Sequence, residues 1–241
     1  MKYLNKDNME NQPKHKNPTI LLGLDSSGIS CAAGVSTDSK LQGEISINNK
    51  NIHSEKLAIF IDFILDNLKI SLEYLSGIII SAGPGSFTGL RIGYSLAKGI
   101  AHQLNIPLIE VPTLDVWAYQ SGEQNQPIMP VIDAYRGEIF YSIYKWEKGQ
   151  FSQINDYSIT TIESLKQIIN QNTLITGLFS EKLKSEISET LSPFAVFSSK
   201  INSSPSIRAL LDLGYQKFVR QEFSDLNSCE PFYMRKFKGV S

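Results

Sequence analysis

The chain has 241 residues, 41% of them hydrophobic and 20% charged, with a formal net charge of −1. That length buries a substantial core and suits one domain of two lobes or two small domains. The near-neutral balance lacks the basic footprint of a protein that grips nucleic acid through many phosphates.

Residues 1–17 are polar, with Lys2, Lys6, Lys14 and Lys16 and no apolar run, and read as a tail rather than a signal peptide. "TILLGLDSSGISCAAGV" (Thr19–Val35) reads as a strand, an Asp at position 25, a small-residue turn and a second strand. Helical spacing follows over His53–Leu68, with Leu57, Ile61, Ile64, Leu65 and Leu68 on the core stripe. Ile59 and Phe63 lie roughly opposite that stripe, among Glu55, Lys56, Asp62 and Asp66, where they are either ordinary exposure or a partner site. Gly77–Ser81 reads as a strand, followed by a glycine-rich turn and a helix over Gly89–Leu104. On that helix Leu90, Gly93, Tyr94, Ala97, Ile100, Ala101 and Leu104 share an apolar face, and Arg91, Ser95, Lys98 and His102 a narrow polar stripe. Gly89, Gly93, Ala97 and Ala101 form a row of small residues that lets another backbone approach closely.

A short strand, "IPLIEV", and a helix, "PTLDVWAYQS", complete a first lobe over residues 18–122, and Glu123–Pro127 is the expected boundary. "PIMPVIDAYRGEIFYSIYKW" (Pro127–Trp146) then repeats the opening order: strand, Asp133, turn, aromatic-rich strand. The rest predicts a helix over Thr161–Asn170, a strand Thr173–Gly177, a helix Ser180–Ser188, a strand Phe194–Ser198 and a helix Ser206–Arg220. An extended piece, "CEPFYMRKF", ends a second lobe over residues 127–241 whose C-terminal segment is expected to cross back to the first. Strands alternating with helices in both halves point to α/β layers, and two Asp-bearing hairpins to a duplicated fold of the actin and sugar-kinase type.

Few residues carry recognisable chemistry. Cys31 and Cys229 stand far apart and His15, His53 and His102 have no metal-ligand spacing, so a reducing cytoplasm and no metal site are expected. The turn "GPGSFTGLRIG" fails as a Walker A loop, because Gly83 is followed by Thr88 at the sixth position and no Lys. Thr88 also stands where the dinucleotide fingerprint needs its third glycine, and Pro84 and Thr88 flank Ser86 where a nucleophile elbow needs glycines. Gly83 and Gly85 allow positive φ or close approach, and Ser86 or Thr88 can cap the next helix. Anion binding at the helix N-terminus and a purely structural turn both remain open. Asp25 and Asp133 sit where a magnesium-nucleotide would be held between lobes, or simply bond their own turns.

The stretch "AGPGSFTGLRIGYSLAKGIAHQLNIPLIEVPTLD" resembles the signature of the TsaB (YeaZ) family of tRNA threonylcarbamoyladenosine biosynthesis proteins. "LGLDSS", "HSEKL", "VIDAYRGEIF" and "EPFYMR" agree in order, so the resemblance covers about Thr19 to Arg235. It implies a two-lobed actin-like ATPase fold (sugar kinase, Hsp70 and actin type), with duplicated sheets flanked by helices. It also implies a cytoplasmic, non-catalytic scaffold that heterodimerises with and activates a TsaD-type catalytic subunit. With a TsaE-type ATPase, that subunit transfers threonylcarbamoyl to the adenosine beside the anticodon. ATP is then used chiefly at the partner subunits and tRNA is met indirectly. The implied nucleotide site, Asp25, Ser26 and Asp133, is degenerate, and the motif Gly83, Pro84, Gly85, Ser86, Phe87, Thr88, Gly89 and Arg91 fixes a turn and an interface helix. Family members pair through the first-lobe helices, which gives Ile59, Phe63, Ile92 and Leu96 as expected anchors, for a partner or for a homodimer. The alternative is a self-standing ATP-binding enzyme of the same fold, a small kinase or a peptidase. The tail before Pro18 exceeds the family's usual length.

Overall fold

A computed structural model describes residues 18–48, 53–197 and 204–234, with the side chains of 53–55 left out. The expected polar tail therefore lies outside the described residues. The first sheet comprises β1 (Ile20–Asp25), β2 (Ser30–Thr37), β3 (Lys40–Asn48), β4 (Gly77–Ser81) and β5 (Leu108–Val111), ordered β3-β2-β1-β4-β5. The β1–β2 and β2–β3 pairs are antiparallel, whereas β4 joins β1 and β5 joins β4 in parallel. The second sheet repeats this plan with β6 (Ile128–Asp133), β7 (Glu138–Tyr141), β10 (Ser158–Thr161), β11 (Thr173–Leu178) and β12 (Ala195–Phe197) in the order β10-β7-β6-β11-β12. Its β6–β7 and β7–β10 pairs are antiparallel and its β6–β11 and β11–β12 pairs parallel. Asp25 and Asp133 each end the central strand of their sheet.

Two readings of the second lobe are corrected. The aromatic-rich strand breaks at Ser142 and Ile143, whose hydroxyl and amide both donate to Asn155, and continues as β8 (Tyr144–Glu147) paired with β9 (Gln150–Gln153). The helix predicted from Thr161 to Asn170 shrinks to α4 (Leu165–Ile168), because Ser158–Thr161 is drawn into register with Tyr141–Glu138 of β7.

Strand alternation divides the first lobe's core. Leu22, Leu24, Ile78 and Ile80 face α1 (His53–Leu68) and α2 (Phe87–Leu104), while Leu21, Ile79 and Ile109 face the opposite side. That second face is covered by α3 (Thr113–Tyr119) and by α6 (Ile207–Val219), which brings Ile207, Leu210 and Leu211 onto it from the far end of the chain. α5 (Glu181–Leu191) packs into the second lobe through Leu183, Ile187 and Leu191. Among the described residues no helix is long and apolar enough to cross a membrane.

Candidate partner interface

The glycine-rich turn is built against the β1–β2 turn. Gly83 has φ +108°, a conformation that favours glycine. A Cβ on Gly85 would fall 2.1 Å from the Ser27 carbonyl oxygen, and one on Gly89 2.1 Å from that of Ser26. The Ser86 amide donates to Ser27 O at 2.7 Å, and the Ser26 hydroxyl donates to Gly89 O at 2.8 Å. Ser86 also caps α2, its Oγ accepting from the Gly89 amide at 3.2 Å, so the helix starts two residues before its predicted position. The row of small residues therefore has its partner: the first two turns of α2 rest on the backbone and side chain of Ser26.

The two acidic candidates each shape a turn. Asp25 is 1% exposed, and its Oδ1 accepts from the Ser27 amide and from the Ser27 hydroxyl, at 3.2 and 2.6 Å. Nearby, burial first and the Asp25 charge second push the Cys31 thiol up to about 12, which keeps it protonated at neutral pH. Asp133 Oδ1 accepts from the Tyr135 amide at 2.7 Å, and Tyr135, Arg136 and Gly137 then follow at φ 60°, 61° and 78°. Tyr135 is left exposed at the hairpin tip.

On the outer side of the first lobe, α1 and α2 flank an open groove of about 550 Å³ lined by Ala58, Phe87, Arg91, Ile92, Ser95 and Leu96, among others. Of the four expected anchors, Ile92 and Leu96 line this groove. Ile59 and Phe63 do not; they stand one helical turn apart on an exposed ridge of α1, 52% and 56% exposed. Their side chains point away from the stripe of Leu57, Phe60, Ile61, Ile64 and Leu65 that α1 buries. Periodicity separated the two faces of α1, but nothing local in the sequence marked Ala58 or Ser95 as groove residues.

The C-terminal segment runs along the same lobe as a strap. Ser224 donates to Leu108 O at 2.9 Å beside β5, Lys98 of α2 donates to Cys229 O at 3.0 Å, and Phe232 donates to Ala82 O at 2.8 Å. At its end the Tyr233 ring lies 5.4 Å from that of Phe87, and Arg91 Nε donates to the Tyr233 hydroxyl at 3.1 Å. Tyr233 thus stands at one end of the groove.

A buried polar centre joins the halves. Asp115 on α3 accepts from the hydroxyls of Tyr144 and Tyr157 at 2.6 and 2.8 Å, and Tyr157 in turn packs edge-on against Phe232 of the strap. Burial raises the Asp115 carboxyl above its ordinary value, opposed by these two hydrogen bonds and by Lys217.

Two sheets of repeated topology with flanking helices define an actin-like ATPase fold. The family model described as TsaD, tRNA N6-adenosine threonylcarbamoyltransferase, matches residues 29–227. The chain belongs to this TsaD-type family, and its relatives identify it with the TsaB (YeaZ) proteins. It is 26% identical over 218 residues to the tRNA threonylcarbamoyladenosine biosynthesis protein TsaB of Bacillus subtilis, covering 89% of this chain and 93% of that one. The Haemophilus influenzae TsaB is 26% identical over 231 residues, with the same two coverages. Among solved structures, YeaZ from Pseudomonas aeruginosa aligns with a TM-score of 0.77 at 22% identity, over 90% of this chain and 100% of that one, a likeness of fold.

Proposed function

We propose that this chain serves tRNA threonylcarbamoyladenosine biosynthesis as a non-catalytic subunit that pairs with a TsaD-type partner through the α1–α2 face. The observation that carries the reading is the exposed Ile59–Phe63 ridge beside an open groove lined by Ile92 and Leu96. Large apolar side chains gathered on one face mark a surface that is covered in the working assembly. The threonylcarbamoyl transfer and the ATP chemistry belong, in this reading, to the partner subunits, and tRNA is met through the complex in the cytoplasm.

In this reading the β1–β2 turn holds no nucleotide phosphate. A phosphate held there needs free backbone amides and room for close approach. Here the Ser26 and Ser27 carbonyls and the Ser26 hydroxyl are packed against Gly85, Ser86 and Gly89, within what a single added Cβ would overfill. The glycine motif acts as a filler of that turn and a base for the interface helix.

Size-exclusion chromatography with light scattering, with and without the TsaD-type subunit from the same source, tests the pairing. A one-to-one complex is expected for the wild type. Ile59→Glu and Phe63→Glu each cost about 2 kcal/mol or more of binding, about 30-fold. Their own unfolding shifts by no more than about 0.5 kcal/mol, since both positions are exposed. Complexes unchanged by both variants refute the interface, and a wild type that ignores the partner refutes the pairing. Magnesium-ATP added to the isolated chain leaves its Tm unchanged, whereas a site filled at 100 times its Kd would add about 2.7 kcal/mol.

A further inference from the structure

We infer that Arg91 is a carboxylate receptor at the end of the α1–α2 groove, held ready by Phe87 and Tyr233, and that the C-terminal strap is therefore part of the partner-binding surface. The inference rests on the pairing proposed above and adds the chemistry of the TsaD-type partner: apolar side chains that enter the groove beside an Asp or Glu.

Arg91 lies on the exposed stripe of α2, yet its head group is fixed in place. Its guanidinium carbon sits 3.8 Å from the centre of the Phe87 ring, and its Nε donates to the Tyr233 hydroxyl at 3.1 Å. Phe87 and Tyr233 pack against each other at 5.4 Å, so the two supports brace one another from α2 and from the strap. Tyr233 is in turn positioned by the preceding residue, whose amide is bonded to Ala82 O and whose ring meets Tyr157. These contacts use the planar face and Nε of the guanidinium. The terminal amino groups carry the fork that matches a carboxylate. Arg91 has no ion pair among the described residues; the pairs found there lie at Lys145, Lys182, Lys184 and Arg220.

An arginine already held by an aromatic ring and a hydroxyl loses little side-chain freedom on binding, which is the condition for a strong interfacial contact. The ligand is a protein carboxylate rather than an RNA phosphate because the groove beside Arg91 is lined mainly by apolar side chains, Leu57, Ala58, Phe87, Ile92 and Leu96, with Thr88 and Ser95 its polar members and no second cation. A phosphate track needs several adjacent cations. The next cation along the stripe, Lys98, is taken by the Cys229 carbonyl.

The test is a titration of the full chain and its variants against the TsaD-type subunit by calorimetry, at two salt concentrations. Arg91→Lys keeps the charge but loses the fork and the ring contact, and weakens binding about tenfold. Tyr233→Phe weakens it about threefold in the Arg91 background and not at all in Arg91→Met, because the hydroxyl acts through the guanidinium. Arg91→Met also flattens the salt dependence. If Ile59→Glu abolishes binding while Arg91→Lys and Tyr233→Phe leave it unchanged, the receptor is refuted and the pairing stands. If the wild type does not bind the subunit, both fail. Loss of tRNA binding by the isolated Arg91→Met chain, with subunit binding intact, assigns the arginine to phosphate and overturns the inference.

Discussion

Substituting Gly93 with alanine probes how α2 sits on the β1–β2 turn. A Cβ at this position would stand 2.4 Å from the Ser26 hydroxyl oxygen, 3.3 Å from Ile80 Cδ1 and 3.7 Å from Ser26 Cβ. Only the first distance is prohibitive. The gain in helix propensity is about 0.8 kcal/mol, set against roughly 1–3 kcal/mol of overpacking. Swinging the hydroxyl aside would also forfeit its bond to Gly89 O, worth about 1 kcal/mol. Gly93→Ala is therefore expected to lose about 1–2 kcal/mol, and Ser26→Ala about 1 kcal/mol. In the double variant the obstacle is gone and the new methyl meets Ser26 Cβ at ordinary contact. Its stability returns to within about 0.5 kcal/mol of the wild type, a coupling of about 2 kcal/mol. Urea unfolding followed by circular dichroism reads all four corners of this cycle. If the single effects add to within about 0.5 kcal/mol, α2 does not rest on Ser26 as described.

Asp115→Asn changes the pH profile of stability. The native carboxyl has a raised pKa, so the folded state holds the proton more tightly than the unfolded state, and Asp115 contributes most below its ordinary value of 3.8. That contribution is lost as pH rises through the raised value, so the wild type gains on the Asn variant when acidified from neutral pH toward 4. A flat difference in urea midpoints across that range contradicts this. Tyr157→Phe removes one of the two hydroxyl bonds to the buried Asp115 carboxyl and is expected to cost about 1 kcal/mol by the same unfolding assay. Ser86→Ala deletes the cap of α2 and should cost about 1 kcal/mol; no loss would mean that the turn alone starts the helix.

Much of the first lobe was legible because periodicity and small-residue spacing are local signals. The core stripe of α1 is recovered with Phe60 added, and the row Gly89, Gly93, Ala97 and Ala101 announced a close approach. Its partner, Ser26, could not be read, since it lies more than sixty positions away and meets α2 only through the sheet. β3 carried a readable alternation at Leu41, Gly43 and Ile45, half-buried on one side, but sat between stronger signals. The stretch from Thr161 to Asn170 misled because Ile162, Leu165 and Ile169 suit a helix, and strand pairing with β7 claims Thr161 and the residues just before it. At the candidate interface, Ile92 and Leu96 followed from the helix face. Tyr233 could not, because an irregular segment has no period and its role comes entirely from where the strap ends.

The way α6 covers the first sheet bears on how the molecule is made. Leu21, Ile79 and Ile109 are complete in the nascent chain long before Ile207, Leu210 and Leu211 arrive to shield them. With about a hundred residues still to be added at ~5–20 residues per second, that face has only the short α3 over it for roughly 5–20 s. The α1–α2 side closes during that interval, but the emerging protein remains sticky on its other side until the ribosome has nearly finished. A stop codon or proteolytic cut between residues 120 and 206 would therefore leave a product prone to aggregate, even though every strand of the first lobe is present.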